Sequence, residues 1–188
     1  RKGSSIWGTH WNGRGRAWAY TSLTAARGLC DAAALAERKQ DPMRAMQYRT
    51  AAQSLRRSIA TGLTDSNGAI ASNREELLAG VDFFDAATFD ATPLGLFAPG
   101  GRIGRATTTG LERLRVSSGP GWARNDDRRD HAGRTDLSPW GSEYDSAEWV
   151  ITDLRGSMVL RAQGNTARAD AVLDWVTNNA AANAGIIP

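Results

Sequence analysis

The strongest constraint on this chain is an order of segments that occurs three times. A long stretch rich in glycine and tryptophan runs into an apolar helix, and a second helix then doubles back. The stretches are Ile6–Gly15, Thr64–Asp85 and Ser117–Asp145. The helices that follow begin near Arg16, Ala86 and Ser146, and their return partners near Pro42, Ile103 and Thr166. Three helical hairpins with the long loops in the same phase place all of those loops at one end of the assembly.

Helical periodicity supports each hairpin. Helix one is predicted over Arg16–Lys39, with Trp18, Ser22, Ala25, Leu29 and Ala33 in one stripe and Ala26 and Cys30 beside it. Its alanines favour helix and permit close packing. Asp41-Pro42 reads as an N-cap followed by proline at the first helical position. The second helix then runs to Leu63, burying Tyr48, Ala52, Leu55 and Ile59 and leaving Arg44, Arg49, Arg56 and Arg57 in solvent. Asn73 and Glu76 form a capping-box pattern for a short helix ending at Gly80. Pro93 breaks or kinks the next helix, Ala86–Phe97. Ile103–Val116 is the fourth long segment. Ser146–Gln163 follows with Ala147, Val150, Ile151, Leu154 and Met158 on its main face and Trp149, Val159 and Leu160 widening it. The last helix, Thr166–Asn183, turns Ala169, Val172, Leu173 and Val176 inward.

The first and fifth helices are apolar around much of their circumference, whereas the second and sixth have a clear polar face. Inner helices are buried on several sides and outer ones on one. The alternation therefore predicts an inner and an outer ring. No period-two strand pattern is present beyond a short hairpin at Ala69-Ile70-Ala71. The expected fold is all-α, an (α/α) toroid or a partial (α/α)6 barrel of about three hairpins. Residues 1–188 form a single all-α segment, expected to belong to a larger catalytic domain.

Composition narrows the function. The net charge is +3, and the basic residues are arginines apart from Lys2 and Lys39. They are interleaved with Asp and Glu, unlike the dense block that tracks a phosphate backbone, so nucleic acid is not an expected partner. The apolar runs are too short to span a membrane. Cys30 is the sole cysteine, which excludes an internal disulfide, and its place on an apolar face favours a buried packing role. His10 and His131 lack metal-ligand spacing, and neither a phosphate-binding glycine loop nor a nucleophile elbow occurs, so no metal or cofactor is expected. No signal-peptide pattern opens the chain; a leader can have been removed, and a secreted or periplasmic location stays open.

What remains is the content of the loops. The first carries Trp7, His10, Trp11, Asn12 and Arg14. Flat aromatics beside hydrogen-bonding groups suit pyranose rings, whose C–H faces stack while their hydroxyls need partners. The same tryptophans can equally plug the end of a bundle. The third loop holds Gly121-Trp122-Ala123-Arg124-Asn125-Asp126-Asp127 and then Ser138-Pro139-Trp140-Gly141-Ser142-Glu143-Tyr144-Asp145. The fixed donor fork of Arg124 fits sugar hydroxyls. Glu143 and Asp145 stand at the start of an inner helix, where a carboxylate either caps the helix or serves as a base or acceptor. Asp82, Asp85 and Asp90 form a parallel set near the second inner helix. Glycoside cleavage needs two carboxyl groups, about 5–5.5 Å apart for retention and about 6.5–9.5 Å for inversion. The loops supply enough carboxylates without revealing which two pair.

The order Ser5-Ile6-Trp7, Ala26-Arg27-Gly28-Leu29, Phe84-Asp85-Ala86-Ala87, Gly121-Trp122-Ala123-Arg124, Pro139-Trp140 and Gly185-Ile186-Ile187-Pro188 resembles the glucoamylase-like glycoside hydrolases of the family 15 type, in the C-terminal part of their (α/α)6 barrel. The resemblance implies an inverting hydrolase acting at chain ends of α-glucans or related α-glucosides. It makes Arg124 the substrate-holding arginine, with Asn125 in place of the usual tyrosine, and sets Asp127 near that stretch's acidic residue. Trp140 matches the tryptophan of the family's Asn-Pro-Trp, and Trp7 the one that precedes the general acid. Two departures follow. Gly8 stands where the family places its acid glutamate, and the family's base glutamate comes after a segment like Gly185–Pro188. Neither standard carboxylate carries over, which leaves Glu143 as the local candidate for an acid or base. Trp7, His10, Trp11, Arg124, Asp127 and Trp140 are the expected sugar-binding set. An open half-toroid should also expose apolar inner-helix surface, which predicts self-association or contact with the rest of a barrel. The alternative is a noncatalytic helical module whose aromatic loops bind glycan or protein.

Overall fold

A computed structural model describes residues 15–80, 83–116, 119–126 and 148–182. It is helical throughout, and its extended pairs are isolated bridges. The helices are α1 (Ala19–Arg38), α2 (Pro42–Gly62), α3 (Arg74–Ala79), a 3₁₀ helix (Ala86–Ala91), α4 (Arg102–Leu111) with a 3₁₀ tail (Glu112–Leu114), α5 (Val150–Ala162) and α6 (Thr166–Ala182). They form three hairpins, α1/α2, 3₁₀/α4 and α5/α6. The 3₁₀ helix packs against α1, α4 and α5, so α1, the 3₁₀ helix and α5 are the inner elements. The architecture is the expected all-α one, part of an (α/α) toroid. No helix among the described residues is long and apolar enough to cross a membrane.

Local chemistry explains the element ends. The Asp41 carboxylate accepts from Arg44 N at 3.0 Å, with Pro42 opening α2. The Asn73 side chain accepts from Glu76 N at 2.9 Å, and α3 stops at Gly80, whose φ of 71° suits glycine. The Asp85 carboxylate accepts from Ala87 N at 2.9 Å and starts the 3₁₀ helix. That element was expected to reach Phe97. It ends at Ala91, and turns around Pro93 fill the remainder. A proline has no amide to donate and cannot continue the ladder.

The 3₁₀ helix is buried along its whole length. Ala86 and Phe89 join a core with Leu111, Leu114, Trp122, Val159, Leu160 and Val172, and Ala91 joins a second with Leu23, Ile59, Leu63 and Ile70. One short element thus serves both cores. The α2 and α4 turn regions then cross back by the same pattern. Ala71 N donates to Leu63 O at 2.8 Å, Ala19 N to Ser72 O at 2.8 Å, and Trp18 pairs with Asn73. One hairpin later Ala123 N donates to Leu114 O at 2.8 Å, Ala86 N to Arg124 O at 2.8 Å, and Asp85 pairs with Asn125. Ala71-Ser72-Asn73 and Ala123-Arg124-Asn125 are equivalent segments, each lying across the N-terminus of an inner helix.

Several face assignments need correction. The buried stripe of α1 is Ala19, Leu23, Ala26, Ala33 and Ala36, about one residue round from the expected one. Ala25 is exposed, and so is Cys30, which has no packing role. On α5 the buried residues are Thr152, Asp153, Gly156, Ser157, Val159 and Leu160, whereas Ile151, Leu154 and Met158 are exposed. Leu173 on α6 is exposed as well. The inner side of α5 uses small and polar residues because Trp122 and α6 approach it closely. Ser157 Oγ donates to Ala169 O at 2.9 Å, and a β-carbon at Gly156 would overlap the Trp122 ring. The α2 assignment stands: Ala52 and Ile59 are buried, Tyr48 and Leu55 half-buried, and the four named arginines exposed.

Gly156→Ala should cost about 1–3 kcal/mol through overpacking against a fully buried ring. Urea unfolding measures it. A loss below about 0.3 kcal/mol would mean that the indole moves aside freely.

Candidate functional site

The crossing segments gather polar residues where the inner helices begin. Arg124 is buried, 3% exposed, and its guanidinium lies 5.3 Å from the centroid of the Trp149 ring. Its place is fixed by backbone on both sides, through its own carbonyl to Ala86 N and through Asn125 to Asp85. Trp149 is fixed too, since its N–H donates to Trp122 O at 3.2 Å. A planar cation over an indole is attractive.

All three inner elements meet at a second cluster. Arg155 Nε of α5 lies 3.1 Å from Asp90 Oδ1 of the 3₁₀ helix, and its guanidinium is 5.8 Å from the centroid of the Tyr20 ring of α1. Burial raises the Asp90 carboxyl above its ordinary range, and the Arg155 charge opposes that rise. A carboxyl held this way is poised to keep a proton longer than a surface aspartate.

A third cluster escaped the sequence reading. Glu148 Oε1 accepts from Gly121 N at 2.8 Å, and Asp153 Oδ1 accepts from Trp122 N at 3.0 Å. Gly121 makes this possible, because a β-carbon there would overlap both carboxylates. Desolvation pushes the Asp153 carboxyl from 3.8 up to about 7; the Trp122 amide pulls it down, while the neighbouring Glu148 adds to the rise by charge and by a shared hydrogen bond. The available signal was the run Thr152, Asp153, Gly156 and Ser157, small and polar at helical spacing, which marks a closely packed inner face.

Of the expected sugar-binding set, Arg124 alone lies within the described residues. Trp7, His10, Trp11, Asp127, Trp140 and Glu143 lie outside them, as do Gly8, Asp82, His131, Asp145 and the segment Gly185–Pro188. Asp85 is fully buried, and one of its oxygens is used as a helix cap. No group of three or more metal-ligating side chains occurs among the described residues. A concavity of about 670 Å³ lies against α4, lined by Phe84, Arg102, Arg105 and Arg113 among others. It is separate from the two clusters that join the inner helices.

No family model matches the sequence, and no curated protein matches it. Two solved structures match the fold. One is a glycosidase with a glutamate-to-alanine substitution in complex with glucose, at a TM-score of 0.72 and 18% identity. The other is a glycosidase with a tyrosine-to-phenylalanine substitution, at a TM-score of 0.73 and 18% identity. The fold is glycosidase-like. Each match covers 96% of this chain and 42% of the glycosidase, so the chain spans less than half the length of either.

The acid pair gives a signed prediction. The folded chain keeps the Asp153 proton up to about pH 7, and the unfolded chain releases it near 3.8. The stability linked to that proton is complete below the lower value and is lost as pH rises to about 7. Asp153→Asn keeps an oxygen for the Trp122 amide and removes the repulsion. It should gain on the wild type between pH 4 and pH 7, by on the order of 1–3 kcal/mol, in urea melts. A difference that does not change with pH would refute the coupling.

Proposed function

We propose that this chain acts on carbohydrate as a glycoside hydrolase of the glucoamylase-like type, inverting and directed at α-glucosidic linkages of oligo- or polysaccharides. The observation that carries the reading is the glycosidase-like fold over 96% of the chain, joined to a buried arginine on an indole at the start of the inner helices. One of the two glycosidases holds glucose, which supports a sugar as the ligand. In this reading Arg124 directs donors to sugar hydroxyls, and Trp7, His10, Trp11, Asp127 and Trp140 complete the binding surface. Glu143 is the acid or base. Asp90 is a second candidate for the acid, because its raised carboxyl suits proton donation.

The test combines titration calorimetry with maltooligosaccharides and a reducing-sugar assay. Turnover lost in Glu143→Gln, with binding retained, supports the enzyme and the role of Glu143. Turnover lost in Asp90→Asn and kept in Glu143→Gln moves the acid to Asp90. Arg124→Ala should weaken binding by about tenfold or more, the worth of a charged hydrogen bond. Gly8 favours a second reading, a noncatalytic carbohydrate- or protein-binding module. Binding without turnover in the wild type would decide for it.

We also propose that the exposed strip Ile151, Leu154 and Met158, at helical spacing on the inner helix α5, is covered by a second copy or by further helices of a larger barrel. Light scattering of the 188-residue chain should give a mass above 20.2 kDa, and Leu154→Lys with Met158→Lys should bring it down to one chain. A single-chain mass for the wild type would contradict self-association.

A further inference from the structure

A cavity of about 260 Å³ lies between α5 and α6, lined by Glu148, Val150, Asp153, Trp175, Val176 and Asn179. Asp153 is 1% exposed, and its Oδ2 meets no hydrogen-bond donor. Its other oxygen is committed to Trp122 N, and Glu148 Oε1 to Gly121 N. Both carboxylates line the cavity, each with one oxygen held by an amide, and Asp153 Oδ2 is left without a donor. A buried like-charge pair is unfavourable unless a proton or a cation joins it.

Among the described residues, the groups around the pair do not supply that cation; Arg168 of α6 lies over the Trp122 ring and is paired with Glu112. From α6 come Trp175, Val176 and Asn179, all uncharged. The crossing segment contributes the Gly121 and Trp122 amides, and the next cation along it, Arg124, lies over the Trp149 ring. On α5 itself Arg155 is engaged with Asp90. Two carboxylates with one aromatic wall and two valines suit an organic ammonium group better than a metal. The indole attracts a cation at its face, the valines accept an alkyl chain, and a divalent ion would need more oxygen ligands than the lining offers.

We infer that this cavity is a binding site for a small protonated amine, its ammonium bridging Glu148 and Asp153 and its carbon skeleton packed on Trp175. The site is distinct from the Arg124 and Asp90 clusters and does not rest on the sugar reading. The ammonium takes the place of the proton the pair otherwise shares, so proton and ligand compete. With Asp153 titrating at about 7, affinity should be about tenfold higher at pH 8 than at pH 6.

Calorimetric titration with methylammonium chloride, against sodium chloride at equal ionic strength and against calcium chloride, tests it. Saturable methylammonium binding with that pH dependence is expected. Asp153→Asn and Glu148→Gln should each abolish it. Trp175→Leu, at an exposed position whose circular dichroism should match the wild type, should weaken it several-fold and leave the pH dependence unchanged. No binding beyond that of sodium, equal affinity at both pH values, or a preference for calcium would overturn the proposal.

Discussion

The backbone amides at the start of each inner helix are buried and have no partner within their own helix. This chain meets them with extended segments laid across the helix ends. Ser72 O takes the Ala19 amide and Arg124 O takes the Ala86 amide, while Trp122 O takes the Trp149 amide. These bonds tie each hairpin to the next. They also decide what the helix ends carry, because the crossing segments bring their own side chains with them. Asn73 and Asn125 are buried for this reason, and so is Arg124. Moving a crossing segment by one residue would turn Arg124 away from Trp149.

Buried charge is the second theme. Arg155 and Asp90 compensate one another between inner elements, and Arg124 rests on an indole. Glu148 and Asp153 have amides for partners and each other for a neighbour. The first arrangement raises a carboxyl modestly against an opposing cation. The second raises one strongly because like charge and burial act together. Both draw on α5, whose large apolar residues Ile151, Leu154 and Met158 are exposed. A helix that spends its inner face on polar and small residues leaves its large apolar ones for another surface.

Much of the helical frame was legible in the sequence. Caps at Asp41 and Asn73 and the stop at Gly80 are written in residue types with a strong local mechanism. The α2 stripe was legible too, since its arginines mark the wet side. The α1 stripe was not, because an alanine-rich helix is nearly uniform in hydrophobicity and its register is set by the partner surface. On α5 the rule that large apolar residues mark the interior failed. Close approach of Trp122 at Gly156 selects small residues there, a tertiary effect with no local signature beyond the run itself. Arg124 was found through its loop and a family resemblance. Glu148 and Asp153 were missed because they stand five positions apart, off the helical i, i+4 spacing, and meet the chain again only at the glycine turn of Gly121.

Amide hydrogen exchange tests the central claim that crossing segments lock the inner helix ends. The Ala19, Ala86 and Trp149 amides should exchange only with global unfolding, on a par with the core of α2, although each stands at the first turn or edge of its helix. Rapid exchange at these three positions, with α2 still protected, would show that the ends fray and that nothing gathers the polar residues there.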